Sequence, residues 1–347
     1  MNRLKIFLHG GMHKTGTTSL QNLLASEREE LLKWGICYPG IRTQHHNLIF
    51  NIRKPGWTPK LLLDQLDFAV QRSASSIIFS AEVLSVLSDT EIKQLRYYLG
   101  DHEIIFIFVI RHWCDYLPSR WAQNCKVRDS QTFRAYIANL RDRYQEHLDI
   151  RFDITLNKFR LNTDAQIKAI SYSNSRKLNR SVVTEIFTAM EFPTELRKKL
   201  SVKERAINLR LSWLEIEQYR LLNDALSEHL GLNKNTLFQV LGEYRAGDVS
   251  YNLRSKSIDQ KFLDSLLEII VENEKLFHIS SSDRWIQNLN THFQTTSANY
   301  FVNLHENKIF HGDYHSTTHF TDLQSSDIQK VNLKNAVQDF TLSDFSY

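Results

Sequence analysis

Hydrophobic residues along the chain follow two patterns: short unbroken apolar runs, and longer stretches in which apolar residues recur at helical spacing. The unbroken runs predict buried strands at residues 6–8, 77–79 and 104–110, and the segment 167–172 is predicted as a further strand. Apolar residues at helical spacing begin at about Thr17, where leucines recur, and appear again over residues 61–70. Strands that alternate with helices are typical of βαβ units, so the first half of the chain predicts a parallel sheet flanked by helices.

Residues 104–110 form the most hydrophobic segment and show no alternation of polar and apolar positions. This pattern predicts a central parallel strand that is covered on both faces. A helix is predicted next, over about 113–126, with Pro118 as an irregularity inside it. Ser88 followed by Glu91 predicts a capping box at the start of the helix that precedes the strand.

The second half of the chain is mostly helical in its pattern. Helices are predicted at about 132–147, 179–190, 194–201, 212–230, 234–245 and 258–276. Beyond about Ser280 the chain turns polar, and we expect an irregular or partly ordered tail. The predicted organisation is a single α/β domain over 1–285, with helical regions at about 128–165 and 194–276, and a polar C-terminal extension over 286–347.

The composition narrows the classes of function. The chain has 347 residues, of which 42% are hydrophobic and 24% are charged, which indicates a globular protein. Its 43 basic and 39 acidic residues give a net charge of +4, too balanced for a general nucleic-acid binder but suited to a local pocket for an anion. Cys37, Cys114 and Cys125 are too few and too scattered for a disulfide framework or a zinc site.

The chain also lacks the signals of a secreted or membrane protein. Its first strand begins almost at once, which leaves no room for a signal peptide. No apolar run approaches the ~20 residues that are needed to span a bilayer. We therefore expect a cytoplasmic protein without a transmembrane segment.

The turn between the first strand and the first helix carries the strongest functional signal. It contains Gly10-Gly11 and then the run Lys14-Thr15-Gly16-Thr17-Thr18-Ser19. A strand, a glycine turn and a helix N-terminus form a phosphate-binding layout, because the first amides of the helix have no intrahelical partner and point at the anion. In a Walker A loop the lysine follows the second glycine, whereas Lys14 precedes Gly16.

A second candidate anion site follows the central strand. Arg111 comes directly after residues 104–110, and Ser119 lies eight residues further on, about two turns along the next helix. In open α/β sheets, ligands bind outside the carboxyl ends of the strands, and the planar guanidinium of Arg111 suits phosphate. Two such sites at adjacent strand ends are what a 3′,5′-bisphosphate nucleotide needs.

With these two segments the chain resembles the sulfotransferases that use 3′-phosphoadenosine 5′-phosphosulfate (PAPS), most of all those of bacterial and carbohydrate type. The resemblance covers about residues 5–175, with His112-Trp113 where the family more usually has Asn-Pro. It implies a P-loop-like α/β core and a mostly helical remainder, in which 128–165 and 194–276 form the acceptor pocket and lid. It also implies that the first loop, Lys14, Thr15, Gly16, Thr17, Thr18 and Ser19, holds the 5′-phosphosulfate, and that Arg111 and Ser119 hold the 3′-phosphate.

Sulfonate transfer needs a base for the acceptor proton and a cation on the leaving phosphate. Lys14 is the expected cation. Glu82 is the expected base, because it follows the strand at 77–79 and so lies at the same edge of the sheet, and the family places a histidine or glutamate there. His46, in the tandem pair with His45 in a polar loop, is the alternative base. Such a pair usually lies at the surface.

Two further residues are assigned more weakly to the nucleotide. The resemblance implies an aromatic residue near the adenine, and Tyr172 at the end of the fourth predicted strand is the candidate, with core packing as the alternative. Arg210, with Arg205, forms a basic patch that either closes over the 3′-phosphate or is a solvated helix cap.

The predicted activity is therefore transfer of a sulfonate from PAPS to a hydroxyl, with adenosine 3′,5′-bisphosphate as the second product and no metal requirement. A carbohydrate or glycolipid is the expected acceptor, and the oligomeric state is left open. A nucleotide-dependent kinase or NTPase is the alternative enzyme, which would reveal itself by magnesium-dependent consumption of ATP. A non-catalytic nucleotide-binding protein is the third possibility.

Overall fold

The computed structural model describes residues 3–12, 15–53, 57–127, 129–204, 212–229, 266, 268–304 and 308–324. The chain forms two compact units. Unit 1 comprises Met1–Trp113, Tyr144–Leu209 and Arg284–Asp313, and unit 2 comprises Cys114–Arg143, Arg210–Asp283 and Tyr314–Tyr347.

Unit 1 contains a parallel sheet. Its strands are β1 (Lys5–His9), β2 (Ile36–Cys37), β3 (Ser76–Ser80), β4 (Glu103–Ile110) and β5 (Gln166–Ser171). Within the described residues these five strands lie in the order β2-β3-β1-β4-β5, and every neighbouring pair is parallel. The predicted α/β fold with a parallel sheet flanked by helices is confirmed.

The described helices of both units lie near predicted positions except at 46–50, 172–177 and 284–297, where no helix was predicted. They are α1 (Thr17–Ser26), α2 (Arg28–Lys33), α3 (His46–Phe50), α4 (Lys60–Gln71), α5 (Asp89–Tyr98), α6 (Trp113–Val127), α7 (Phe133–Asp142), α8 (Phe152–Asn162), α9 (Tyr172–Lys177), α10 (Val182–Ala189), α11 (Thr194–Ser201), α12 (Trp213–His229) and α13 (Arg284–Ser297). The capping box of α5 is confirmed, since Ser88 and Glu91 each accept the other's backbone N–H, and Pro118 lies inside α6.

Strand β4 is central, as its unbroken apolar run predicts. It pairs with β1 on one side and with β5 on the other. On one face of the sheet, Phe106 and Phe108 pack on Phe159 of α8, with ring centroids 4.6 and 5.0 Å apart. On the other face, Ile107 and Val109 join the core that α1, α10 and α11 complete. Burial on both faces explains why no polar residue interrupts the run.

Unit 2 is built around α7, α12 and an antiparallel pair of strands, β6 (Lys275–Ser280) and β7 (His315–Phe320). Phe133 of α7 packs on Trp121 and Phe277. A buried ion pair lies inside the unit, in which Arg220 donates to Glu217 at 2.8 Å. Both side chains are fully buried, and burial raises the pKa of Glu217 despite the guanidinium beside it.

The prediction of an irregular tail beyond Ser280 is wrong for the described residues. Helix α13, a 3₁₀ turn at Ala298–Tyr300 and strand β7 lie within it. Ile286, Leu289 and Phe293 are buried at helical spacing, a stripe that the many polar residues around it conceal.

One predicted helix is tested only in part, and another is not tested. The helix predicted over 258–276 is helical at 268–272 but gives way to β6 at Lys275. The helix predicted over 234–245 lies outside the described residues, as does 325–347. Among the described helices, none is long and apolar enough to cross a membrane.

Candidate functional site

The candidate site lies at the carboxyl edge of the sheet in unit 1. The register aligns His9 of β1 with Ser80 of β3 and with Ile107 of β4. Ile110, the last residue of β4, lies opposite Ser171, the last of β5. The segments that follow these four strands therefore meet at one edge, which is where open α/β sheets bind their ligands.

The glycine turn continues along β4 before it reaches α1. The N–H of Gly10 donates to the carbonyl of Ile107 at 2.9 Å, and the N–H of Met12 donates to that of Val109 at 3.1 Å. A Cβ on Gly10 would lie 2.6 Å from the Phe108 ring, so only glycine fits this approach. The turn is thereby held beside β4, the strand that Arg111 follows.

Helix α1 begins without a side-chain cap. Gly16, at its N-cap position, has φ +83°, and no side-chain hydrogen bond caps the helix. Thr15 is buried, and its hydroxyl donates to the carbonyl of Met12 at 2.7 Å, so it stabilises the turn itself. Thr18 and Ser19 are half-buried in the first helical turn. The first amides of α1 have no intrahelical partner, which suits them to an anion.

The carboxylate of Glu82 lies against the start of α1. Its Oε1 accepts a hydrogen bond from the hydroxyl of Thr17, the first residue of the helix. Both side chains pack on Gly11, where a Cβ would lie 2.8 Å from Cγ2 of Thr17 and 3.3 Å from Cγ of Glu82. Gly11 has φ +50°, so backbone conformation and contacts both favour glycine there.

His46 lies beside Glu82 at the start of α3. Its Nε2 accepts the backbone N–H of Glu82 at 3.0 Å. In a neutral ring this leaves the proton on Nδ1. The lone pair that a base would use is therefore already engaged.

Arg111 and Tyr172 form the other side of the site. The guanidinium carbon of Arg111 lies 5.1 Å from the centre of the Tyr172 ring, within the range of a cation–π contact. A Cβ on Gly16 would lie 4.0 Å from Cε2 of the same ring. The Tyr172 ring thus contacts the arginine that follows β4 and faces the position of Gly16 at the start of α1.

A cluster of buried polar side chains joins the ends of β1 and β3 to neighbouring segments through hydrogen bonds. The hydroxyl of Ser80 lies 2.8 Å from Nδ1 of His9 and accepts from Nε2 of Gln21 at 3.1 Å. His45 accepts the N–H of Ser80 at Nδ1, 3.0 Å away, and its Nε2 lies 2.9 Å from the carbonyl of Pro39. Burial lowers the pKa of both His9 and His45 to about 4, so both are neutral at pH 7.

The surface position expected for His45 is therefore wrong. The ring is buried because the ends of two other segments, at Ser80 and Pro39, satisfy both of its nitrogens. The His9–Ser80–Gln21 contacts were not predicted either. They join residues that lie 59 and 71 positions apart, and no local pattern in the sequence reports such contacts.

The structure brings together part of the set of residues that the sequence assigned to the site. Thr15 to Ser19, Glu82, His46, Arg111 and Tyr172 lie around one sheet edge in unit 1. Lys14, Arg205 and Arg210 lie outside the described residues. Ser119 is half-buried in α6, within unit 2. Among the described side chains, no group of three or more His, Cys, Asp or Glu residues is placed to hold a metal ion.

No family model matches the chain, and no curated protein is found to be similar to it in sequence.

Proposed function

We propose that the chain is a sulfotransferase that moves a sulfonate from PAPS to a hydroxyl of a carbohydrate or glycolipid. The observation that carries this proposal is the hydrogen bond from the Thr17 hydroxyl to Glu82. A carboxylate at the mouth of an anion-binding helix repels a phosphate, so a protein that only binds nucleotides gains nothing from it. A transferase that must accept a proton from a hydroxyl at that position needs such a group.

The nucleotide is proposed to span the two sides of the site. Its 5′-phosphosulfate lies at the start of α1, where the run from Lys14 to Ser19 supplies amides, hydroxyls and a cation. We assign its 3′-phosphate to Arg111. The proximity of Arg111, Tyr172 and Gly16 supports this arrangement, because one aromatic ring lies near both the arginine and the loop.

The proposed transfer is an in-line displacement. The acceptor oxygen forms a bond to sulfur while the bond from sulfur to the 5′-phosphate oxygen breaks, and the acceptor proton passes to Glu82. The products are the sulfated acceptor and adenosine 3′,5′-bisphosphate. Lys14 stabilises the charge that develops on the leaving phosphate, by analogy with phosphoryl transfer.

The contact with Thr17 gives a physical reason for Glu82 to act only after the nucleotide binds. A hydrogen bond from Thr17 stabilises the charged carboxylate. When the Thr17 hydroxyl turns to the 5′-phosphate, Glu82 loses that bond and gains a negative neighbour, and both changes make it a stronger base. The engaged Nε2 of His46 supports Glu82 rather than His46 in this role.

Calorimetry with adenosine 3′,5′-bisphosphate, ATP and AMP tests the nucleotide class. We expect the bisphosphate to bind at least tenfold more tightly than either of the others. Arg111→Ala should remove that preference while AMP still binds. Tighter binding of ATP, with magnesium-dependent hydrolysis, would instead support the kinase or NTPase alternative.

Glu82→Gln tests the base. Glutamine keeps an oxygen that can accept from Thr17, so nucleotide affinity should change by less than about threefold, whereas transfer should fall by about 10²-fold or more. Glu195→Gln, at an exposed glutamate of α11, is the matched control and should leave both unchanged. Unaltered transfer in the Glu82 variant, measured with a panel of saccharide acceptors, would rule out the assigned base.

A further inference from the structure

Residues 301–303 cover the outer edge of β5. Ala169 of β5 forms an isolated parallel bridge with Phe301, and the N–H of Val302 donates to the carbonyl of Ala169 at 3.0 Å. The segment thus pairs with the last strand of the sheet for about two residues, without forming a regular strand. Beyond this point a side chain continues the pairing.

That side chain is the amide of Asn303. Its Oδ1 accepts the N–H of Ser171 at 2.7 Å, and its Nδ2 donates to the carbonyl of Ser171 at 3.2 Å and to the hydroxyl of Ser175 at 3.1 Å. A primary amide presents a donor and an acceptor side by side, as a neighbouring strand would. Ser171 is fully buried, so without Asn303 its backbone N–H would lose this hydrogen bond without gaining water. Its carbonyl also accepts from the hydroxyl of Ser175 at 3.1 Å.

Ser171 is the residue at which β5 becomes α9. Its hydroxyl caps α9 by accepting the N–H of Asn174 at 3.2 Å, and the next residue is Tyr172. The fully buried Ser173 accepts the N–H of His112, the residue after Arg111, at 2.9 Å. The short helix therefore connects Asn303 to the two side chains that form one side of the candidate site.

We propose that Asn303 is a positioning residue for the nucleotide site, which acts through Ser171 to hold the Tyr172 ring against Arg111. This inference rests on the proposed function, because it concerns the end of the site assigned to the 3′-phosphate. It gives a segment from the far end of the chain a part in nucleotide selectivity. Asn303 itself does not contact the nucleotide.

The test compares Asn303→Ala and Asn303→Asp with Asn288→Ala. Asn288 lies on α13, and its Nδ2 donates to the Tyr144 hydroxyl at 3.3 Å, an exposed contact away from α9. Calorimetry measures the affinity of each variant for adenosine 3′,5′-bisphosphate and for AMP. Amide exchange of residues 166–176 reports the β5–α9 junction independently of any ligand.

Asn303→Ala should weaken the bisphosphate about tenfold and AMP by less than about threefold, with faster amide exchange over 166–176. The affinity of Asn303→Asp for the bisphosphate should lie between those of Asn303→Ala and the wild type, because a carboxylate oxygen still accepts the N–H of Ser171 but repels its carbonyl. It also serves as the test if the alanine variant does not fold. Asn288→Ala should match the wild type.

A merely structural role predicts that the melting temperature falls while the ratio of the two affinities is unchanged, and that outcome would overturn the inference. Unchanged exchange over 166–176 would overturn it as well. If the wild type binds neither nucleotide, the proposed function fails and this inference fails with it. If the wild type discriminates and the Asn303 variants discriminate equally, only the inference fails.

Discussion

Gly11 combines a left-handed backbone conformation with close side-chain contacts, so an added methyl group should be costly there. Its φ of +50° lies in the left-handed region, and a Cβ would lie 2.8 Å from Cγ2 of Thr17. The same atom would lie 3.3 Å from Cγ of Glu82. Gly11→Ala therefore adds both backbone strain and overpacking at the point where Thr17 donates to Glu82.

The magnitude follows from these two contributions. Left-handed backbone at an alanine costs about 1–2 kcal/mol. Insertion of a methyl group into a packed site costs about 1–3 kcal/mol more. The sum of about 2–5 kcal/mol is a large part of a typical free energy of unfolding of about 5–15 kcal/mol.

Gly100→Ala is the matched control. Gly100 has φ +58°, close to that of Gly11, but a Cβ there would meet nothing within 4 Å. It should carry only the backbone contribution of about 1–2 kcal/mol. The difference between the two variants therefore isolates the steric contribution at Gly11. Urea denaturation followed by circular dichroism measures both.

Thr17→Ser provides a second check, because it removes the clashing Cγ2 and keeps the hydroxyl. The double variant Gly11→Ala, Thr17→Ser should lose less stability than the two single effects added together, by about 1 kcal/mol. The reasoning is refuted if Gly11→Ala costs no more than Gly100→Ala. It is refuted equally if the two changes at Gly11 and Thr17 are additive.

Two further predictions concern stability alone. Burial lowers the pKa of His9 and His45 to about 4 and that of His112 to about 3, below the unfolded value of about 6.5. As the pH falls, these histidines therefore take up protons in the unfolded chain at a higher pH than in the folded chain. Stability should thus fall as the pH drops from 6.5 towards 4, by up to about 1.4 kcal/mol per pH unit for each histidine, and a urea midpoint that is equal at pH 7 and pH 5 would contradict this. Ser88→Ala should cost about 1 kcal/mol through loss of the α5 cap, whereas Ser201→Ala, at an exposed serine, should cost little in the same urea assay.

The features that could be predicted are those that depend on residues close together in the sequence. The unbroken run of β4 predicts a strand with neighbours on both sides, and β1 and β5 supply them. Ser88 and Glu91 stand at the spacing of a capping box, and both of its hydrogen bonds are present. The glycine turn before α1 is also found where the sequence places it, because strand, turn and helix are consecutive.

The features that could not be predicted join distant parts of the chain. Asn303 lies 132 residues from Ser171, and neither residue carries a local sign of the contact. The buried position of His45 depends on Ser80, 35 residues away. The polar residues of α13 concealed a stripe whose Phe293 packs on Trp113 of α6. In each case the partner, rather than the residue itself, determines the environment.

The position of β1 in the sheet has a consequence for how the protein is made. The strand is translated before β3 and β4, yet it pairs with both of them. Residues 5–9 therefore lack one neighbouring strand until residue 80 has been synthesised and the other until residue 110 has been synthesised. The outer edge of β5 stays uncovered for longer, until residue 303 has been synthesised. Until these edges are paired, the partly folded chain exposes strand edges of the kind that promote aggregation.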